Sequence, residues 1–170
     1  AYQWLAKVPS GVQVELLQSP DGIRVPLEMY ERAVDDRTAL VATSHVFFTS
    51  GAIQDAAAIA RIAHRRGALC LIDGYQAAGQ VPVDVQGLDV DFYASGGLKW
   101  LLGGTGVAFL YARPELIPTL SPRVAGRVSA DGPCTRAPTR RCRYRTTGGK
   151  ASNGRSQLAR RAAAIARGEA

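Results

Sequence analysis

The chain has 170 residues, of which 46% are hydrophobic, and carries a net charge of +7. This length and composition predict one globular domain, since domains average ~150 residues. Residues 1–122 carry 9 Lys and Arg against 12 Asp and Glu, whereas residues 123–170 carry 12 against 2. The basic excess belongs to the C-terminal part, so residues 1–122 have no electrostatic footprint for nucleic acid.

The few cysteines and the absence of long apolar runs narrow the class of protein. Cys70, Cys134 and Cys142 form no CxxC pair, and this odd, sparse set argues against a disulfide framework. No apolar run approaches the ~20 residues that span a bilayer, and no signal-peptide pattern opens the sequence. We therefore expect a cytoplasmic protein with no membrane partner. No His, Cys, Asp and Glu cluster has metal-ligand spacing, so no metal site is predicted.

Strands and helices are predicted to alternate along residues 12–120. The clearest helix covers residues 53–66, because its apolar residues fall at helical spacing, arginines follow at its end and Gly67 stops it. Short β-rich or apolar runs predict the strands, and Pro26 and Pro114 suit first turns of helices. The predicted strands cover residues 12–18, 38–46, 68–72, 90–94 and 107–111; the other predicted helices cover residues 26–34 and 114–120.

This alternation predicts an α/β fold, a mostly parallel sheet with flanking helices and right-handed crossovers. Ligands of such sheets bind beyond the carboxyl ends of the strands. Asp73 ends one predicted strand, and Lys99 follows the next one within a Ser-Gly-Gly-Leu-Lys segment. A lysine there can form a Schiff base, and an aspartate can keep a ring nitrogen protonated. The pattern therefore points to pyridoxal phosphate (PLP) chemistry.

Residues 38–122 resemble the class V aminotransferase family of PLP-dependent enzymes, which includes cysteine desulfurases, kynureninases and isopenicillin-N epimerase-like proteins. The segments that carry the resemblance occur in the family's order and spacing. They are residues 43–46 (Thr-Ser-His-Val), 68–79 (from Ala-Leu-Cys-Leu-Ile-Asp to Gly), 83–85, 91–101 and 104–106 (Gly-Thr-Gly). The resemblance implies part of a PLP-dependent transferase major domain of fold type I.

The resemblance also implies roles for individual residues. Lys99 would be the catalytic residue that forms the Schiff base with PLP and moves the α-proton of an amino-acid substrate. Asp73 would pair with the pyridinium nitrogen, and Gln76 would bond the phenolic oxygen. Ser95 would bind the phosphate, and His45 would lie near the pocket at the end of the preceding strand.

Two departures from the family pattern bear on the reaction. Leu98 stands before the lysine, where the family usually has His, Gln, Arg or Tyr. Phe47 and Phe48 follow the His-Val pair, where desulfurase-like members carry Asn shortly afterwards. This difference favours kynureninase-like or epimerase-like relatives over a desulfurase. Transamination, desulfuration and C–C or C–X cleavage all stay open.

We predict two segments in the chain. Residues 1–122 form part of the PLP-binding large domain, and residues 123–170 form a basic tail that is disordered or translated out of frame. Resequencing the codons for residues 120–130 would test the frameshift. A catalytically incompetent fragment of such an enzyme is one alternative. A nucleic-acid-binding protein that uses the basic tail is another, although Tyr144 alone could stack on bases there. The resemblance implies a homodimer for the full-length protein.

Overall fold

The computed structural model describes residues 2–120 and 161–163. The chain divides into two compact units, residues 1–113 with 154–170, and residues 114–153. Within the second unit the described residues include a 3₁₀ helix, Pro114–Thr119. Of the predicted tail, only residues 161–163 are described, as a short strand, so its disordered or out-of-frame character stays a prediction.

One six-stranded sheet organises the first unit. Its strands lie in the order β1-β6-β2-β3-β4-β5, and all neighbours pair in parallel except β4 and β5. The predicted α/β class with a mostly parallel sheet is confirmed. The strands are β1 (Val14–Glu15), β2 (Thr38–Ser44), β3 (Leu69–Asp73), β4 (Phe92–Gly96), β5 (Ala108–Ala112) and β6 (Arg161–Ala163).

The described residues form three α-helices, which precede or flank these strands: α1 (Tyr2–Leu5), α2 (Leu27–Ala33) and α3 (Ala56–His64). Helix α2 begins after Pro26, as predicted. Helix α3 begins three residues later than predicted, because Gln54 N donates to His45 O at 2.8 Å instead of entering the helix. The Asp55 carboxylate then caps α3 by accepting a hydrogen bond from Ala58 N at 2.8 Å.

The core lies between the sheet and the helices. Val41, Cys70 and Ile72 of the central strands are fully buried, and the buried residues of α3 include alanines together with the larger Ile59 and Ile62. Burying one large aliphatic side chain contributes about 1.5–3 kcal/mol to folding, so this layer holds the strands in register. The further members of the core are Leu17, Val25, Tyr30, Val34, Phe47, Ala56, Ile59, Ala60, Ile62, Ala63, Ala68, Val90 and Tyr93.

A charged cluster closes the edge of the sheet where the parallel strands begin. Asp91 is only 4% exposed, and its Oδ2 lies 2.7 Å from Nε2 of His64 and 2.7 Å from the amide of Cys70. Its Oδ1 lies 3.0 Å from Nε of Arg113, whose Nη2 also contacts Asp89. We call His64, Asp89, Asp91 and Arg113 the amino-edge cluster. It joins the end of α3 to the starts of β3 and β4 and the end of β5.

Two kinds of feature are absent from the described residues. No helix among them has the length and apolarity that crossing a membrane requires. No group of three or more His, Cys, Asp and Glu side chains among them could hold a metal ion.

Candidate active site

The carboxyl ends of β2, β3 and β4 lie side by side and form the opposite edge of the sheet, here called the carboxyl edge. The register pairs Ser44 with Asp73, and Asp73 with Ala94. The chain continues this pairing beyond β2, since His45 N donates to Asp73 O at 2.9 Å. Ser95 is the next residue of β4. The fold therefore brings the predicted site residues His45, Asp73 and Ser95 to one edge.

The Asp73 carboxylate is exposed and has few partners. Among the described residues, its single hydrogen bond comes from Tyr75 N, which donates to Oδ1 at 2.9 Å. None of the ion pairs formed within the described residues includes Asp73. A carboxylate at the end of a buried strand therefore keeps most of its capacity to accept a hydrogen bond from a cationic group.

His45 lies beside Asp73 and contacts Tyr93, a buried residue of β4. The Tyr93 hydroxyl is 3.0 Å from Nδ1 of His45, and the two rings meet edge to face at 88°. Burial lowers the pKa of His45, because it disfavours the imidazolium. Burial and the negative charge of Asp73 raise the pKa of Tyr93 to about 12. Both groups are therefore neutral at pH 7.

Two glycines allow tyrosine rings to pack against this edge. A Cβ on Gly74 would overlap the ring of Tyr93, and a Cβ on Gly96 would overlap the ring of Tyr75. Neither position has room for a side chain unless a ring moves. The strand ends and the two rings therefore form one closely packed surface.

Gln76 contacts the residue that follows the candidate lysine. The indole Nε1–H of Trp100 donates to Oε1 of Gln76 at 3.1 Å. This bond fixes the orientation of the Gln76 side-chain amide. Because Oε1 accepts the hydrogen bond from Trp100, the NH₂ group points away from Trp100. The NH₂ group is then a donor with no hydrogen-bond partner among the described residues.

Lys99 lies in a loop that leaves β4 and returns as β5. Two backbone bonds close this loop, from Gly103 N to Gly97 O at 2.7 Å and from Gly97 N to Val107 O at 2.9 Å. Nζ of Lys99 lies 5.0 Å from the ring centre of Phe48 and 5.6 Å from that of Tyr75.

Tyr75 links Lys99 to the carboxyl edge, since it follows Asp73 by two residues. No hydrogen bond or ion pair joins Lys99 to Asp73 among the described residues. The lysine is therefore brought to the same edge through an aromatic neighbour.

Ser95 is buried beneath the edge. Its side chain is 2% exposed, and its hydroxyl donates to Gly74 O at 3.2 Å. The structure thus ties the end of β4 to the residue that follows Asp73. Phosphate binding by Ser95 stays a prediction.

A cavity of about 310 Å³ lies next to these residues. It shares Phe48, Gln76 and Trp100 with the surroundings of Lys99, and no charged side chain lines it. The other lining residues are Val46, Phe47, Gly51, Ile53, Gln80 and Val81. The space beside the lysine is therefore mostly apolar.

The buried side chain of Gln54 forms hydrogen bonds with the end of β2. Nε2 of Gln54 donates to Thr43 Oγ1 at 2.8 Å and to Ser44 O at 2.6 Å. The Tyr30 hydroxyl donates to Gln54 Oε1 at 3.0 Å and lies 3.0 Å from Thr43 Oγ1. These bonds hold the strand end that precedes His45.

Sequence reasoning missed several of these contacts. Tyr93 carried a usable signal, because side chains alternate along a strand and Tyr93 is two residues before Ser95 on the same face. Tyr75 carried a similar signal, being two residues after Asp73. Gln54 carried none, since the periodicity assigned it to a helix.

Residues 3–136 match the Aminotransferase class-V family, so the match continues past the predicted boundary at residue 122. The chain belongs to the class V aminotransferase family. It is 45% identical over 116 residues to an uncharacterized aminotransferase of Bacillus subtilis, which covers 68% of this chain and 31% of that protein. It is 38% identical over 134 residues to a probable cysteine desulfurase of Methanothermobacter thermautotrophicus, with 76% and 34% covered.

A solved structure of a cysteine desulfurase shares the fold. The apo structure of a cysteine desulfurase from Thermococcus onnurineus matches with a TM-score of 0.68 and 30% identity, over 77% of this chain and 32% of that one. The predicted membership of PLP-dependent fold type I is confirmed. The chain spans about a third of the length of these class V aminotransferase relatives.

Proposed function

We propose that this chain is the cofactor-binding part of a PLP-dependent enzyme that acts on an amino acid, with Lys99 as its catalytic residue. One observation carries the proposal: among the described residues, the Asp73 carboxylate at the end of β3 forms no ion pair and accepts only one hydrogen bond, from Tyr75 N. It lies at the edge that also holds Lys99. By contrast, the carboxylate of Asp91, which directly precedes β4, forms ion pairs with His64 and Arg113.

The side chains at the carboxyl edge fit PLP. The Asp73 carboxylate is a suitable acceptor for a protonated ring nitrogen, and the NH₂ group of Gln76 is a suitable donor to a phenolic oxygen. His45 is 6% exposed and contacts Tyr93, and its contact with the cofactor stays a prediction. When bound, PLP supplies an aldehyde that condenses with amines and a ring that accepts electrons from the substrate's α-carbon.

Lys99 supplies the amine. The rings of Phe48 and Tyr75 lie near Nζ and attract its ammonium group. This attraction keeps the side chain at the carboxyl edge. Once deprotonated, the same nitrogen can act as a nucleophile or take a proton from a substrate carbon.

The proposal specifies a PLP-dependent reaction of the class V aminotransferase family and does not name the reaction type. The relatives include an uncharacterized aminotransferase and a probable cysteine desulfurase, and both activities start from an amino-acid substrate. Phe47 and Phe48 follow the His-Val pair, where desulfurase-like members carry Asn shortly afterwards, and this difference favours a reaction other than desulfuration. We further propose that the full-length protein is a homodimer. The cytoplasmic location stays a prediction.

Borohydride reduction after titration with PLP tests the proposal. The chain has three lysines, Lys7, Lys99 and Lys150, so peptide mapping separates the candidates completely. We expect a visible absorption band and a pyridoxyl label on the peptide that contains Lys99. The matched control is Lys7→Ala, which should keep both signals, whereas Lys99→Ala should lose them. A label spread equally over all three lysines would contradict the proposal. No band from folded protein would favour the incompetent fragment.

A further inference from the structure

The hydroxyl of Tyr75 lies against the end of β4, next to the residue for which phosphate binding was predicted, Ser95. A Cβ on Gly96 would overlap this hydroxyl and the ring carbon that bears it, so the hydroxyl occupies the space that a side chain at Gly96 would fill. Tyr75 is half-buried, and its hydroxyl has no hydrogen-bond partner among the described residues. The hydroxyl is not sealed from solvent, so a ligand can reach it.

Two other hydrogen-bond donors near this point are already in use. The Ser95 hydroxyl is buried and donates to Gly74 O at 3.2 Å. The amide of Gly97 donates to Val107 O at 2.9 Å. A phosphate that accepted a hydrogen bond from either group would have to break an existing bond, whereas the Tyr75 hydroxyl can donate its proton without such a loss.

The surroundings of Tyr75 differ between its backbone and its ring. The Tyr75 amide donates to Oδ1 of Asp73 at 2.9 Å, so a carboxylate lies at the backbone end of the residue. Nζ of Lys99 lies 5.6 Å from the centre of the Tyr75 ring, so a positive charge lies beside the ring, and a hydrogen-bond donor stands at its tip. PLP has complementary groups, because its protonated ring nitrogen is a cation and its phosphate is an anion that accepts hydrogen bonds.

We propose that the Tyr75 hydroxyl donates a hydrogen bond to the phosphate of PLP, in place of the Ser95 hydroxyl. This inference deepens the proposed function and rests on it, because the phosphate belongs to the same cofactor. Gly96 is part of this site, since a side chain there would displace the hydroxyl. The two ends of the Tyr75 side chain then have separate roles, because the ring contacts the Lys99 ammonium group and the hydroxyl binds the anion.

A comparison of PLP with pyridoxal, which has the same ring and aldehyde but no phosphate, tests the inference. Tyr75→Phe removes only the hydroxyl and keeps the ring beside Lys99. Titrations followed by the visible absorption band give the dissociation constants of both ligands. In Tyr75→Phe, we expect the dissociation constant for PLP to rise about tenfold, because a hydrogen bond to a charged group is lost. The dissociation constant for pyridoxal should not change.

Tyr111→Phe is the matched control, because it removes a tyrosine hydroxyl from β5 of the same sheet. It should leave the dissociation constants of both ligands unchanged. Ser95→Ala tests the competing assignment, in which the serine hydroxyl binds the phosphate. The inference is overturned if Tyr75→Phe weakens PLP and pyridoxal binding equally, or if it weakens neither. It is also overturned if Ser95→Ala, rather than Tyr75→Phe, weakens PLP binding selectively.

Titration of the cofactor-free chain with inorganic phosphate separates this inference from the proposed function. Nuclear magnetic resonance of the Gly96 amide follows binding, because this residue lies against the Tyr75 hydroxyl. We expect a saturable shift of this signal in the wild type and a smaller one in Tyr75→Phe. If the wild type shows this difference but binds neither PLP nor pyridoxal, the proposed function fails and the phosphate contact stands. If the wild type and Tyr75→Phe bind PLP equally well, the phosphate contact fails and the proposed function stands.

Discussion

The two edges of the sheet carry aspartates in opposite situations. At the amino edge, Asp91 is buried, lies within hydrogen-bond distance of His64 Nε2, accepts from the amide of Cys70 and forms an ion pair with Arg113. At the carboxyl edge, Asp73 is exposed and bonded only to Tyr75 N among the described residues. A buried carboxylate must be paired, because an isolated charge there is strongly destabilising. An aspartate that forms ion pairs with neighbouring side chains, like Asp91, therefore stabilises the fold. An aspartate at a strand end without an ion pair, like Asp73, is available to a ligand.

Removing the charge of Asp91 should produce the largest loss of stability. Asp91→Asn leaves Arg113 and His64 without their buried partner, and breaking such a group costs about 3 kcal/mol. Urea unfolding followed by circular dichroism measures the free energy of unfolding. Asp89→Asn is the control, because Asp89 is 56% exposed in its side chain and should cost under about 1 kcal/mol. Equal losses in both variants would remove the distinction between a buried cluster and surface charges.

Adding one methyl group at Gly74 should have the next largest effect, at the carboxyl edge. Gly74→Ala places a Cβ where the Tyr93 ring lies, so the ring must shift, at a cost of about 1–3 kcal/mol. Gly104→Ala is the control, since nothing lies within 4 Å of a Cβ there. Unfolding curves of the two variants check the prediction. If Gly74→Ala is as stable as wild type, the close packing of Tyr93 is not required.

The sheet and its edge were predictable from particular residues. The continuous apolar run before Asp73 predicted a buried parallel strand, and the strand–helix alternation predicted which strand ends meet. The partners of the site residues were not predictable in the same way. Tyr93 reaches His45 across 48 residues of sequence, and such a contact depends on the register of three strands.

Local competition explains the remaining differences. Ile53 and Gln54 have helical spacing, yet Gln54 bonds to His45 O and to Thr43, so tertiary hydrogen bonds override helix propensity there. The strand at residues 14–15 is shorter than the predicted run of residues 12–18. The amino-edge cluster was not predicted. The helical spacing of His64 indicated only that it lies on one face of a helix, not that it contacts Asp91.

A parallel measurement of PLP affinity and stability in Asp73→Asn tests the account most directly. Asparagine keeps the size of the side chain but removes the charge. We expect the free energy of unfolding without PLP to change by less than about 0.5 kcal/mol. We expect the dissociation constant for PLP to rise about 10–100-fold, since a charge-assisted hydrogen bond is lost. The account is contradicted if Asp73→Asn binds PLP like the wild type, or if it destabilises the chain as much as Asp91→Asn does.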